Sequence, residues 1–352
     1  MNSHNLIEKL NIQKFLSLHE WESLLDSFTD DDRKYAADIA RNIAIRNFKN
    51  KIYVRGIIEF TNYCKNDCIY CGIRRSNRNA LRYRLDKEDI IACCEEGYRY
   101  GLRTFVLQGG EDGFFTDDKV MGIISAIRDR FSDCAITLSI GEKSKQSYQG
   151  YFDAGADRYL LRHETADESH YGMLHPPELS WKNRMQCLEN LKEIGYQTGC
   201  GCMVGSPYQT NEHLAKDMVF MAKFKPHMIG IGPFIPHKDT AFHEFAAGSV
   251  EKTLLILSLC RIMLPDVLLP ATTALGTVSE NGRKQGILAG ANVIMPNLSP
   301  LFVRKKYMLY DNKVTTGDDA AESIQILSKH MKEIGYELTV NRGDYKGEEI
   351  ND

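Results

Sequence analysis

The chain has 352 residues, 43% of them hydrophobic and 26% charged, and carries a net charge of −3 at pH 7. Charges of both signs are mixed throughout, which excludes the basic footprint of a nucleic-acid binder and a patch for anionic membranes. Its apolar stretches are too short or too interrupted to span a bilayer, and its length is within reach of one α/β barrel domain.

In chain order, Met1 to Lys14 lack a basic segment followed by an apolar one and lack a twin-arginine pair, so no export signal is expected. Ile7 to Asn50 read as helical. Short apolar runs then alternate with amphipathic patterns. The expected strands are Tyr53–Phe60, Thr104–Gln108, Ala135–Ile140, Arg158–Leu161, Gln197–Met203, Met228–Gly232, Val267–Pro270 and Asn292–Met295. Seven expected helices, at about 87–100, 117–130, 145–154, 181–194, 212–224, 250–263 and 280–289, lie between them. Gly101, Gly155 and Gly290 each close a helix just before a strand, as a left-handed cap would.

Eight strands with seven intervening helices is the count of a parallel (β/α)8 barrel, although a doubly wound open sheet uses the same units. The expected division is a helical extension over 1–50, a full (β/α)8 TIM barrel over 51–310, and a C-terminal helix and tail over 311–352 packing on it. Asp318 to Ile334 read as the helix and Asn341 to Asp352 as a loose charged tail.

Directly after the first strand stand Cys64, Cys68 and Cys71, at C-x3-C-x2-C spacing, with Tyr70 before the last. Three thiolates so spaced can hold three irons of a [4Fe–4S] cluster and leave the fourth open to a small molecule. A structural zinc site would want a fourth ligand, and no Cys or His at suitable spacing follows Cys71. The remaining cysteines, at 93, 94, 134, 187, 200, 202 and 260, give no disulfide framework and read mostly as buried apolar residues. Thiolates holding such a cluster, with no export signal, give the expectation of a reducing cytoplasm.

Barrel chemistry sits on the loops after the strands, and those positions here are polar. They include Gln108-Gly109-Gly110-Glu111-Asp112, Ser139-Ile140-Gly141-Glu142, Arg162-His163-Glu164-Thr165, Gly199 to Ser206, Gly232 to His237, Thr272-Thr273 and Pro296-Asn297. The paired glycines suit close approach of a ligand to the backbone, and Glu111 suits an ammonium group. His163 reads as a hydrogen-bonding pocket residue, His170 and His175 as surface residues. Glu164 and Arg184 read either as a surface salt bridge or as partners for the ammonium and carboxylate of a zwitterion.

The cluster loop, the glycine–glycine–glutamate turn and the strand grammar resemble the radical S-adenosylmethionine (SAM) enzymes. Tyr83-Arg84, Leu107 to Asp112, Leu138 to Glu142, Asp157 to Ala166, Gly230 to His237, Pro270 to Thr277 and Gly290 to Asn297 resemble, within them, the maturases of [FeFe]-hydrogenase. The resemblance runs from about Phe48 to Tyr310; methylornithine synthase and biotin synthase look more distant.

This resemblance implies an enzyme with a [4Fe–4S] cluster and SAM, whose reductive cleavage yields a 5′-deoxyadenosyl radical. It gives Cys64, Cys68 and Cys71 to the cluster, and Tyr70, Gln108, Ser139, Glu164 and Arg184 to SAM. It places Thr272, Thr273, Tyr307 and Tyr310 beside substrate, although Tyr307 and Tyr310 alone would read as helix packing. The implied substrate is a cysteine-ligated iron carbonyl cyanide complex from a partner maturase, attacked at sulfur during assembly of the di-iron subcluster. A ferredoxin or flavodoxin is the implied electron donor, and the other maturases are implied partners. Some relatives hold a second cluster near the C-terminal region; Lys313 to Asp319 contain no cysteine, so one cluster is expected. Two alternatives remain at this stage: hydrogen abstraction from an amino acid or sulfur heterocycle, and a non-catalytic iron–sulfur carrier.

Overall fold

Most of the short apolar runs form strands, and most of the helices that follow are entered through a side chain that caps free N–H groups. Asp86, Ser144, Ser180, Thr210 and Ser249 each accept an N–H three residues on, which fixes where those helices begin. The computed structural model describes residues 2–314 and 320–347. Its strands are β1 (Lys51–Val54), β2 (Gly56–Thr61), β3 (Thr104–Gly109), β4 (Ala135–Ser139), β5 (Arg158–Leu160) and β6 (Gln197–Cys200). They continue as β7 (Met203–Val204), β8 (Met228–Ile229), β9 (Gly232–Pro233), β10 (Val293–Ile294) and β11 (Glu337–Thr339).

The main sheet runs β2-β3-β4-β5-β6-β8 and is parallel throughout, with helices in the crossovers. A second parallel sheet has the order β10-β1-β11, and β7 pairs β9. This establishes an α/β fold, but the eight expected strands are not all present as strands among the described residues. The first is broken at Arg55, so that its halves join different sheets. Val267–Pro270 makes only single bridges, Met228 to Leu268 and Pro270 to Val293. Pro270 has no N–H with which to extend a ladder. The fifth and sixth expected strands are each interrupted and continue as β7 and β9.

Because the sheet is covered by helices, its strands bury both faces: Ile58, Phe105, Ile136, Leu138 and Tyr159 are fully enclosed. The expected N-terminal helical region is three helices, Ser3–Gln13, Leu18–Ser27 and Asp30–Phe48. The last packs on Val250–Met263, which is buried nearly all round. No helix among the described residues is long and apolar enough to cross a membrane.

At the C-terminal end, the helix Ala320–Glu333 leads into β11. The segment expected to be loose is instead tethered over its described part. Arg342 bonds Asp157 (2.8 Å), Asp344 bonds the buried Arg158 (2.6 Å), and the Arg342 carbonyl accepts from Thr104 Oγ1 (2.7 Å). Thr104 and Arg158 begin β3 and β5, so this segment lies at the amino ends of the strands, opposite the cysteines.

Candidate functional site

The loop after β2 has little regular structure and is held by side chains reaching its backbone. Asn62 Nδ2 donates to the carbonyls of Leu81 (2.9 Å) and Lys306 (2.7 Å), and Asn62 Oδ1 accepts from Tyr83 N (2.8 Å). The Arg82 guanidinium gathers the carbonyls of Ile73 (2.8 Å) and Arg74 (2.6 Å). Within this frame Cys64, Cys68 and Cys71 are free and half-buried.

Burial pushes all three thiols up: Cys68 well above its ordinary value and Cys71 to about 12. Left alone they would stay protonated, whereas bound iron would draw them into the thiolate form. Among the described residues, the one group of three metal-ligand atoms within 4.8 Å of each other is His163, Cys202 and Asp217. Three loop thiols without a fourth protein ligand among the described residues suit a multi-iron cluster with one open iron better than a single tetrahedral ion.

The glycines after β3 serve this loop as well as any ligand. A Cβ on Gly110 would lie 2.2 Å from the Tyr63 carbonyl oxygen and 2.8 Å from Cys64 Cβ, so only glycine lets the turn press on the cluster loop. Glu111 Oε1 accepts from Glu142 N (2.9 Å), while its Oε2 has no hydrogen bond and lies 3.2 Å from the exposed Lys65 ammonium. Asp112 takes a two-pronged contact from Arg84 (2.6 and 2.9 Å) and a bond from Thr61 Oγ1 (2.8 Å).

Strand register aligns Glu59, Gln108 and Ser139 in one row across β2, β3 and β4. The Gln108 side chain acts on the enclosed Tyr307, and that of Thr277 on Tyr310. Glu59, fully buried in the first apolar run, was not among the expected site residues. It pairs with Lys313, whose Nζ also bonds the Tyr307 carbonyl (3.0 Å), and it accepts from Asn297 (2.9 Å). A carboxylate inside an apolar strand is a sequence signal for a buried partner, but nothing local names Lys313, 254 residues away. Thr272 and Thr273 lie at the start of a helix: Thr272 Oγ1 caps Leu275 N, and Thr273 gives its carbonyl to Thr277.

Around β5 the geometry differs from a surface ion pair. Glu164 and Arg184 are both buried and are not paired with each other. Arg184 Nε bonds Glu142 Oε1 (2.5 Å) and its Nη1 bonds the Arg162 carbonyl (2.6 Å). Glu164 Oε2 has no hydrogen bond, and Arg162 Nε is 3.8 Å from the other oxygen.

The charges of Arg184 and Glu164 act on both Cys68 and Tyr70, which brings these four expected residues into one neighbourhood. The Tyr70 hydroxyl, pushed well up by burial, faces His175 Nε2 at 3.4 Å, and His175 stacks on Tyr171. His170 and His175, expected on the surface, are buried, because each gives a ring nitrogen to a backbone carbonyl (Pro207 and Tyr171). An unpartnered carboxylate oxygen beside half-buried thiols suits a cationic ligand, so the residues present fit a cluster with SAM.

The Radical SAM superfamily pattern matches residues 58–221. The [FeFe] hydrogenase maturase subunit HydE of Thermotoga maritima is 39% identical over 338 residues, covering 95% of each chain. The chain belongs to the HydE family of radical SAM enzymes. A 3-methylornithine synthase of Methanosarcina acetivorans is 26% identical over 79% of each chain. The crystal structure of methylornithine synthase (PylB) superposes with a TM-score of 0.80 at 22% identity, covering 95% of this chain and 97% of that one. It shares the fold. As a radical SAM enzyme, the chain uses a [4Fe–4S] cluster and SAM.

Proposed function

We infer that this enzyme is an [FeFe]-hydrogenase maturase of the HydE type, working in the cytoplasm on a cysteine-ligated iron carbonyl cyanide complex. The observation that carries this reading is identity with a HydE over nearly the full length of both chains. Held at the loop by Cys64, Cys68 and Cys71, the cluster with SAM would supply one-electron reductive cleavage and radical chemistry, here directed at the substrate's cysteine sulfur. Cys64, Cys68 and Cys71 ligate the single cluster. Glu164 receives the methionyl ammonium on its unpartnered oxygen, Arg184 the carboxylate, and Tyr70, Gln108 and Ser139 complete the SAM contacts.

Tyr307, Tyr310, Thr272 and Thr273 line the substrate side, with Gln108 acting on Tyr307. The single bridges through Leu268, Pro270 and Asn297 support a strand ring closed as a (β/α)8 barrel, with 1–50 as its helical extension and the described part of 311–352 packed on it. A ferredoxin or flavodoxin supplies the electron, and the other maturases supply the substrate and take the product.

The test is anaerobic: cluster-loaded protein, dithionite, SAM and the iron complex, with nucleosides followed by mass spectrometry. A covalent adenosyl adduct on the substrate cysteine is the expected result. Free 5′-deoxyadenosine alone, unchanged by the iron complex, would move the substrate to an amino acid or sulfur heterocycle.

A further inference from the structure

The Glu164 carboxylate projects from a backbone segment whose neighbouring groups are tied down. Arg162 Nη2 donates to the Cys202 carbonyl (2.5 Å), and the Glu164 amide donates to the Gly201 carbonyl (3.0 Å). The Thr165 carbonyl accepts from Trp181 Nε1 (3.1 Å), and the Ala166 amide donates to Asp217 Oδ1 (2.5 Å). Inside this segment Glu164 has φ 64°, a left-handed conformation that strains a side-chain-bearing residue. Such strain persists where the surroundings over-determine it.

His163 and Asp217, both fully buried, complete the restraint. The Gly201 amide donates to His163 Nδ1 (3.1 Å), which puts the ring proton on Nε2, 3.2 Å from Asp217 Oδ1. Gly201 therefore holds the turn twice, receiving the Glu164 amide and anchoring the His163 ring. It has no room to be anything else, since a Cβ there would sit 2.1 Å from the Gly230 carbonyl oxygen. With Cys202, these two side chains have the closeness of a metal site. Both imidazole nitrogens are already committed, however, one accepting and one donating, so a metal ion would have to break one of those bonds.

We propose that His163 and Asp217 are positioning residues: a buried carboxylate–imidazole clamp that fixes the left-handed turn at Glu164 and thereby aims its free oxygen at the ammonium of SAM. The inference rests on the assignment of Glu164 to SAM made above. Asp217 uses one oxygen for both bonds and leaves Oδ2 without a partner, so an amide that keeps Oδ1 preserves the clamp while alanine removes it.

The test is SAM affinity, read on cluster-loaded protein by equilibrium dialysis and by the SAM-induced change in the reduced cluster's EPR spectrum. Asp217→Ala weakens binding about tenfold, Asp217→Asn by no more than about twofold, and Asp217→Ala adds nothing in a Glu164→Gln background. A merely structural role would lower stability and weaken binding equally in both backgrounds, and that result, or unchanged affinity in Asp217→Ala, overturns the proposal. If Asp217→Ala does not fold, His163→Asn, which keeps an acceptor for Gly201 but falls short of Asp217, is read in the same cycle. Wild-type affinity in Glu164→Gln alone sinks the Glu164 assignment first, and the clamp with it.

Discussion

β5 carries a buried charge at each end, and the two are treated in opposite ways. At its amino end Arg158 uses every arm: Nε on Gln197 (3.2 Å), Nη1 on Thr104 (3.2 Å), and Nη2 on the Arg342 carbonyl (2.7 Å) and Asp344 (2.6 Å). Just past its carboxyl end, Glu164 is also buried but keeps one oxygen without any hydrogen bond. A charge that only holds the fold together is saturated, because a buried polar group without a partner costs free energy. On the role proposed for it, Glu164 carries that cost until SAM arrives. Arg55 departs from the pattern at the amino end, with only Met228 Sδ near its Nη1 (3.0 Å).

Substitutions at the two ends should therefore separate stability from chemistry. The largest expected effect is at the open end: Cys68→Ala reduces bound iron and sulfide to background and abolishes 5′-deoxyadenosine formation, measured by metal analysis and mass spectrometry. Next, Lys313→Met strands the Glu59 carboxylate in the interior and costs about 3 kcal/mol in denaturant unfolding, and adding Glu59→Gln recovers most of it. At the sealed end, Arg158→Met costs about 2 kcal/mol, less because Asp344 is partly exposed, and leaves SAM cleavage per cluster unchanged. A loss of cleavage there would mean that the two ends are coupled.

The smallest expected effect is a pH dependence from the same sealed end. His227 Nδ1 accepts from Thr198 N (2.9 Å), and burial holds its pKa below the ordinary 6.5. The unfolded chain then binds the proton more readily than the folded one, so this contribution is complete above pH 6.5 and declines as pH falls below it. The thermal midpoint of the apoprotein drops on that acid side, and His227→Gln makes the drop shallower.

What the sequence disclosed follows the range of the interactions involved. Cys64, Cys68 and Cys71 are neighbours in one loop, so their spacing alone is enough to suggest a cluster site, whereas the role given to Tyr70 comes from the resemblance. The alternation of strands and helices is likewise local, and most elements fall near their expected places. The break at Arg55 does not show in the apolar pattern, because an apolar run reads the same whether or not its backbone leaves the ladder, whereas Gly199 and Gly201 are a local sign of the second break that the expected strand Gln197–Met203 passes over. Lys313 opposite Glu59, Asp217 opposite His163, and Asp344 opposite Arg158 are pairings over 54 to 254 residues, set only when the sheet forms. The surface expectation for His170 and His175 missed the carbonyls of Pro207 and Tyr171 that let an imidazole enter the interior.

The left-handed backbone at Glu164 has an evolutionary consequence. Glycine would occupy that conformation without strain, so Glu164→Gly should raise the stability of the apoprotein by about 1 kcal/mol while forfeiting SAM binding. Selection of this enzyme for heat resistance alone would reward that substitution, so a library screened only for survival on heating would be enriched in inactive protein at this position.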